Sequence, residues 1–385
     1  MRIGIVLSGL VGKARRGGVA RYARCLLSAL AQVDGRNTYV LFLHRDNASD
    51  FDGLPLRWRR VVLPLPRPEA RYLEQVVLPP LLYGLRLDVV HYPALAPVLA
   101  YPGPAVATVH DLTLELFPDN VDLRSRLYYR RLLRAGVRRA RRIIADSEST
   151  KGDLCRLWDV PPQFIEVIPL APAPTFQKPV PASRVCDVLK RYGLPDTYLL
   201  GVSTLQPNKN FARLLEAYAL ARGRLPEDTS LVVVGQPGWR YEGVVRSTRE
   251  LGLDGSVRFI GYVPDADLAA LYSGALAFVY PSLYEGFGLP PLEAMACGAP
   301  VIASHASSLP EVVGDAGLLV DPLDVEDIAA AMVRVASDPV LREAMRQAGR
   351  ARASRFSWQK CAQRTLAVLE AAANGAPLPP AARGG

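Results

Sequence analysis

The stretch "LAFVYPSLYEGFGLPPLEAMACGAPVIAS", residues 276–304, decides how this chain is read. It opens on a short apolar run, "LAFVYP", which suits a buried strand. A loop with Gly286 and Gly288 follows. Next comes "LPPLEAMACG", a helix with proline near its first position and Gly298 past its end. A second apolar run, "APVIAS", closes the stretch as another strand. Glu285 opens the loop, and Glu293 stands eight positions later, in the first or second helical turn. A helix N-terminus with a glycine-bearing loop is an anion site suited to phosphate. Carboxylates beside it can accept hydrogen bonds from the hydroxyls of a sugar and a ribose. Taken singly, Glu293 could complement the helix dipole and Glu285 could be a surface acid. The whole constellation favours chemistry.

Working outward, the same alternation recurs. "MRIGIVL", "TYVLFLH", "LDVVHY", "AVATVH" and "RIIADS" are expected strands in the first half. "TYLLGVS", "SLVVVG", "VRFIGY" and "AGLLVD" join the two strands above in the second. Continuous apolar runs separated by helices predict parallel sheets covered on both faces. "PLAPAPTFQKPVPAS" (169–183) is rich in proline and is the candidate interdomain linker. The expectation is therefore two doubly wound α/β domains, near 1–175 and 190–355, with a helix around 358–373 left over. Only the tail "APLPPAARGG" looks unstructured. In such sheets ligands bind beyond the carboxyl ends of the strands, and between two domains the cleft is the default site.

Composition sets outer limits. The chain has 385 residues, half of them hydrophobic, which suits a globular protein of two or three domains. Its five cysteines, Cys25, Cys155, Cys186, Cys297 and Cys361, are scattered without CxxC spacing. That argues for a reducing compartment and against a structural zinc site. Met1 runs straight into a strand pattern, without the features of a signal peptide. The uncharged stretch Val89–Val109 carries four prolines, so a spanning helix is not expected there. The expected setting is cytoplasmic, soluble or peripheral to a membrane.

The net charge of +9 has a local source. Nine of the 46 basic residues lie between Arg124 and Arg142, a window without acids, and the remainder equals the 37 acids. On one ideal helix, Tyr129, Leu132, Leu133, Val137, Ala140, Ile143 and Ile144 share a side. Arg124, Arg130, Arg131, Arg134, Arg138, Arg139, Arg141 and Arg142 share the other, with Arg126 and Leu127 breaking the division. The apolar stripe is expected to pack into the first domain. For the arginines, an anionic membrane surface is preferred over a solvated face, and nucleic acid is not expected.

The opening stretch resembles the signature of retaining glycosyltransferases of family 4, which have the GT-B fold: E-G-F-G-L-P-x-L-E-A-M-A-C-G-x-P-V-I. The resemblance is specific, and two other nucleotide patterns fail. No G-x-x-x-x-G-K-[ST] occurs, and "GFGLPP" lacks the third glycine of a dinucleotide fingerprint. It implies that Glu285 contacts the donor sugar and Glu293 the ribose hydroxyls. The backbone of Gly286, Phe287, Gly288 and Leu289 would hold the sugar and distal phosphate.

Further stretches extend the resemblance over almost the whole chain. "LLGVSTLQPNKNFARLLEAY" (199–218) is similar to the family's phosphate loop. There Lys209 would neutralise the leaving diphosphate, mostly in the transition state. Many relatives carry arginine where Ser203 or Asn208 stands, so here Lys209 is left with backbone and hydroxyl donors at the donor site. "GKARRGGVARYARCLL" supplies Gly17 and Gly18, a glycine pair that lets the backbone approach donor phosphate and acceptor. "TVHDLTLELFP" resembles the family's VHD stretch, with His110 facing the donor sugar and Asp111 structural. "VVVGQPGW" and "VRFIGYVPDADLAALY" resemble the base-reading region, through Gly235, Tyr262 and Val263. "RFSWQKCAQRTLAVLEA" resembles a last helix that crosses back onto the first domain, which accounts for residues 358–373.

The function implied is transfer of a sugar from a nucleotide-diphosphate donor to a hydroxyl acceptor, with retention and without a metal or other cofactor. Bacterial cell-surface glycan or lipid-linked saccharide assembly, by a mannosyl or related transferase, is the suggested setting. Two other classes compete. A glycoside hydrolase also uses two carboxylates, but those flank the scissile bond, whereas these share one loop and helix beside a phosphate cradle. A membrane- or nucleic-acid-associated scaffold would explain the arginines but not the glutamates.

Overall fold

The computed structural model describes residues 1–12, 15, 17–65, 73–94, 97–118, 129–236 and 241–375. Within them the chain divides into two compact units. The first holds Met1–Pro118, the described residues up to Leu170, and the end of the chain from Ser357. The second holds Ala171–Phe356.

The first unit is built on a seven-stranded parallel sheet. Its strands are β1 (Arg2–Val6), β2 (Thr38–Leu43), β3 (Arg59–Val62), β4 (Val89–Tyr92), β5 (Ala105–Val109), β6 (Arg142–Ala145) and β7 (Ile165–Val167). They lie in the order β3-β2-β1-β4-β5-β6-β7. The central strands are buried on both faces, as unbroken apolar runs require. The edge strands β3 (RRVV) and β7 (IEV) escape sequence reading because each is short and carries charge. Among the crossover helices are α1 (Gly18–Val33), α2 (Glu74–Gly84), α3 (Arg134–Arg139) and α4 (Glu148–Trp158). Leu78 and Leu82 of α2 fill one core with Phe42, Val90 and Tyr92. Val137, Leu154 and Trp158 fill another with Ile143 and Ala145.

The second unit carries a six-stranded parallel sheet: β8 (Tyr198–Val202), β9 (Ser230–Val234), β10 (Val257–Gly261), β11 (Ala277–Tyr280), β12 (Val301–Ser304) and β13 (Leu318–Val320). The order is β10-β9-β8-β11-β12-β13. Its helices include α5 (Ala182–Tyr192), α6 (Phe211–Ala221), α7 (Tyr241–Glu250), α8 (Asp265–Gly274), α9 (Leu289–Cys297), α10 (Val325–Ser337) and α11 (Pro339–Ala353). One face of the sheet packs Leu199, Val233 and Val279 against Leu214 of α6 and Met332 of α10. On the other, Phe278 meets Tyr272 of α8 edge to face at 5.3 Å. The proline-rich segment is no loose tether in its second part. Phe176 is fully buried against Tyr272, and α5 begins at Ala182.

The last helix, α12 (Trp358–Asn374), belongs to the first unit. Ser357 caps its start by accepting from the Lys360 N–H. Trp358 lies 6.1 Å from the Tyr22 ring of α1, and Arg141 donates to the Ala372 carbonyl at 2.8 Å.

The arginine-rich segment departs from the single helix expected over 124–142. Residues 124–128, and the side chains of Tyr129 and Arg130, lie outside the described part. A π-helical turn, Tyr129–Leu133, leads into α3, and Ala140 is already extended. Ile143 and Ile144 are core residues of β6, not the end of a helical stripe. The reason is tertiary: a central strand buries both faces, and that outweighs a helical period that happens to continue. Several arginines are engaged. Arg134 pairs with Asp159 at 2.7 Å, and Arg142 lies over the Phe164 ring. Arg131, Arg138 and Arg139 are exposed.

Candidate active site

The strand order of the second unit reverses between β8 and β11, where Leu199 stands opposite Ala277 and Leu200 opposite Phe278. Loops leaving two such strands part to opposite sides and open a crevice at their carboxyl ends. Here those loops are "STLQPNKN" after β8 and "PSLYEGFG" after β11.

The two loops are stitched together. Asn208 is buried, and its carbonyl accepts from the Leu283 N–H at 2.8 Å and the Ser282 hydroxyl at 3.1 Å. Asn210 turns the chain into α6 through a left-handed conformation (φ 61°). Its side-chain amide donates to the carbonyls of Pro281 and Pro322, at 2.9 and 2.6 Å. This stitching brings Lys209 to Glu285, with Nζ 2.7 Å from Oε1. The Tyr280 hydroxyl donates to the same carboxylate oxygen at 2.6 Å. The Lys209 and Glu285 side chains are only 17% and 11% exposed. Burial, with the Glu285 charge beside it, pushes the Tyr280 phenol well above its ordinary value. The phenol therefore stays protonated and serves as a donor.

The loop after β11 is held from a third side. The Glu285 N–H donates to Ser307 Oγ at 2.9 Å. The Ser308 hydroxyl lies within reach of the Glu285 and Phe287 carbonyls, at 3.0 and 2.7 Å. Gly288 is the N-cap of α9 at φ 110°, and a Cβ there would stand 2.8 Å from Leu309. Both facts require glycine. Pro290 and Pro291 have no N–H, so of the first three helical residues only Leu289 carries a backbone donor. Phe287 and Leu289 are buried. Glu293 sits in the second turn of α9 and is 1% exposed, so it is not a surface complement to the dipole.

At the neighbouring strand ends, Gly235 lies so close to β8 that a Cβ would stand 1.7 Å from the Ser203 carbonyl oxygen. Its N–H donates to the Gly261 carbonyl at 2.9 Å. Packing alone thus accounts for this glycine. Tyr262 is half exposed and Val263 is buried.

In the first unit, Gly17 caps α1 in an extended conformation and Gly18 is its first residue. His110 follows β5. Its Nδ1 lies 2.6 Å from Asp146 Oδ2, and its Nε2 lies 2.8 Å from the Pro93 carbonyl. The Tyr22 ring meets it edge-on at 4.7 Å. Both ring nitrogens face acceptors, so a proton must sit on Nε2 and another between Nδ1 and Asp146. Burial lowers the imidazole, but Asp146 outweighs it and the net direction is up. A free catalytic base does not fit this arrangement. Asp111 accepts from the Thr113 N–H at 2.8 Å, a local turn contact.

Comparison with known proteins follows the same division. Residues 191–352 match the family described as "Glycosyl transferases group 1", and residues 16–171 match "Glycosyltransferase Family 4". The O-antigen chain mannosyltransferase B of Escherichia coli is 40% identical over 271 residues, covering 68% of this chain and 69% of that protein.

The chain belongs to glycosyltransferase family 4.

Solved structures agree on the fold. A sucrose-phosphate synthase from Thermosynechococcus elongatus has a TM-score of 0.76 at 24% identity, covering 94% of this chain and 97% of that one. The Anabaena protein HepE in complex with UDP-glucose has a TM-score of 0.72 at 20% identity, covering 96% and 100%. The chain is thus a glycosyltransferase of GT-B fold, with two Rossmann-like units. The hydrolase and scaffold readings fall away.

Among the expected site residues of this glycosyltransferase, Lys209 and Glu285 touch, and Ser203 stands after β8 with its carbonyl against Gly235. Asn208 supports the loop from below. Sequence reasoning missed Tyr280, Asn210, Ser307, Ser308 and Asp146. The two serines lie in "HASSLPEV", where nothing in the spacing points at a loop twenty residues upstream. Tyr280 looked like one more apolar strand residue. A cavity of about 750 Å³ beside α5, lined by residues including Lys178, Val185, Cys186 and Arg350, contains none of the expected site residues.

Proposed function

We propose that this glycosyltransferase moves mannose, or a related hexose, from a nucleotide-diphosphate sugar to a hydroxyl of a growing bacterial cell-surface glycan, with retention of configuration. The observation that carries the reading is the contact of Lys209 with Glu285 beside the start of α9, at the point where the strand order reverses. A cation, a carboxylate and a run of backbone N–H groups there suit a diphosphate joined to a sugar. The similarity to an O-antigen mannosyltransferase supports the choice of hexose and setting. The UDP-glucose bound by HepE supports a sugar nucleotide as donor.

In this reading the bond from the sugar C1 to the diphosphate oxygen breaks, and its electron pair leaves with the diphosphate. The acceptor oxygen bonds C1 on the same face, and its proton passes to a phosphate oxygen of the leaving group. Lys209 and the backbone of Gly286, Phe287, Gly288 and Leu289 stabilise the departing charge. Glu285 orients the sugar and Glu293 binds the ribose. Gly235, Tyr262 and Val263 approach the base, and Ser203 and Asn208 shape the phosphate loop. In the first unit, Gly17 and Gly18 leave room for phosphate, and His110, its ring nitrogens held by Asp146 and the Pro93 carbonyl, faces the donor sugar as a fixed ring rather than a base. The exposed Arg131, Arg138 and Arg139 are assigned to attraction toward an anionic membrane that carries the acceptor. No helix among the described residues is long and apolar enough to cross a membrane.

The test is a thermal-shift and turnover screen of sugar nucleotides. A bound donor at about 100 times its Kd should stabilise the chain by about 2.7 kcal/mol. Hexose transfer from GDP-mannose is the expected result. A chain that GDP-mannose neither stabilises nor serves as donor would overturn the mannosyl assignment.

A further inference from the structure

We propose that Tyr280 is a positioning residue for sugar transfer: its buried hydroxyl holds Glu285 Oε1 in place when Lys209 leaves that oxygen for the donor's diphosphate. The inference rests on the roles proposed above for Glu285 and Lys209.

In the structure one oxygen, Glu285 Oε1, has two donors, Lys209 Nζ at 2.7 Å and the Tyr280 hydroxyl at 2.6 Å. The two differ in kind. Lys209 sits on a flexible four-carbon stem, at the end of a 3-10 turn, with 17% of its side chain exposed. Tyr280 is the last residue of β11, 4% exposed, and its ring stacks on Phe278 at 5.5 Å. A lysine can follow an incoming phosphate; a tyrosine packed in a central strand stays where it is. Once Lys209 turns to the diphosphate, a carboxylate that is 11% exposed would lose its counter-charge and its aim together. The phenol removes both problems, because a charged acceptor strengthens the hydrogen bond it receives. Burial and the Glu285 charge keep the phenol protonated across the working pH range.

The experiment compares the wild-type chain with Tyr280→Phe. Turnover is measured at saturating donor, with GDP-mannose first and a panel including UDP-glucose. Affinity for GDP and UDP is measured by titration calorimetry, and folding by thermal melts. Losing a hydrogen bond to a charged group should lower kcat of Tyr280→Phe about ten- to hundredfold. The free nucleoside diphosphate should also bind more weakly, because it takes Lys209 and leaves the phenol as the remaining donor to Glu285 Oε1. A purely structural tyrosine would lower the melting temperature and leave kcat per folded molecule unchanged, which would overturn the proposal. So would a nucleoside diphosphate affinity that does not change, since the phenol would then not be what holds Glu285 once Lys209 has left it. If GDP-mannose is not a donor for the wild-type chain, the mannosyl assignment fails. The variant ratios are then read with whichever sugar nucleotide of the panel turns over.

Discussion

Replacing Glu285 by glutamine should strengthen the binding of free nucleoside diphosphate while slowing transfer. Lys209 is paired with Glu285 at 2.7 Å. A diphosphate that recruits Lys209 must break that pair. Exposed ion pairs contribute up to about 1 kcal/mol, and removing one partner of a fully buried pair costs about 3–5 kcal/mol. With side chains 17% and 11% exposed, this pair falls between the limits, at about 1–2 kcal/mol. Glu285→Gln keeps the shape and a hydrogen-bond acceptor for Tyr280 but removes the competition for Lys209. The Kd for GDP or UDP should therefore fall about five- to thirtyfold. Turnover should fall as well, because the charge proposed to orient the sugar is gone. Titration calorimetry of wild type and variant measures the first effect, and a coupled assay for released diphosphate the second. Weaker binding of the free nucleoside diphosphate would refute the reasoning, since Glu285 would then be supporting that ligand instead of competing with it.

Glu293→Gln should weaken free nucleoside diphosphate and intact donor alike, by about tenfold, through lost hydrogen bonding to the ribose; calorimetry with both ligands checks it. Lys209→Ala should reduce turnover by about two orders of magnitude, and because the leaving charge is assigned to Lys209 and backbone N–H groups, wild-type turnover should persist in excess EDTA. A loss restored by magnesium would transfer that role to a metal. The His110 value is raised above its ordinary 6.5, so its contribution to stability is complete below about pH 6.5 and is lost as pH rises through the folded value. Melting curves from about pH 6 to pH 9 should show this decline, at no more than about 1.4 kcal/mol per pH unit, and Asp146→Asn should flatten it. Replacing Arg131, Arg138 and Arg139 with glutamate should abolish low-salt co-sedimentation with anionic vesicles, at about 1 kcal/mol per lost arginine, and leave nucleotide affinity unchanged. A wild-type chain that ignores such vesicles would leave the arginines as a solvated face.

How far the sequence reaches depends on how local the cause is. The two sheets were legible because each central strand is a continuous apolar run of strand length, as strands covered on both faces require. The loop and helix from Glu285 to Gly298 were legible because glycine, proline and glutamate mark a loop, a helix start and a helix end within fourteen residues. The brace around that loop was not. Ser307 and Ser308 act on it from the far side of β12, and Asn210 and Asn208 from beyond β8. Side-chain to backbone bonds across such distances leave no period in the sequence. The arginine segment failed for a related reason. Its helical period runs on past Arg139, but the sheet claims Ile143 and Ile144 first. His110 shows the same limit in chemistry: the residue was visible, yet the carboxylate that decides its protonation lies 36 positions away.

Pairing Lys209 with Glu285 also bears on how the enzyme would tell substrate from product. A lysine and a glutamate this little exposed would each be costly without a partner. Each satisfies the other until a ligand offers something better. In the roles proposed above, an intact sugar nucleotide would replace both halves of the pair, with phosphate for the lysine and sugar hydroxyls for the glutamate. The nucleoside diphosphate left after transfer would replace only one. It would take the lysine and leave Glu285 with the Tyr280 hydroxyl alone, so the original pair would pull back toward re-forming. On this reading the contact of Lys209 with Glu285 weakens retention of the product relative to the donor. The energy separating the two ligands is then the same 1–2 kcal/mol or so that Glu285→Gln would release.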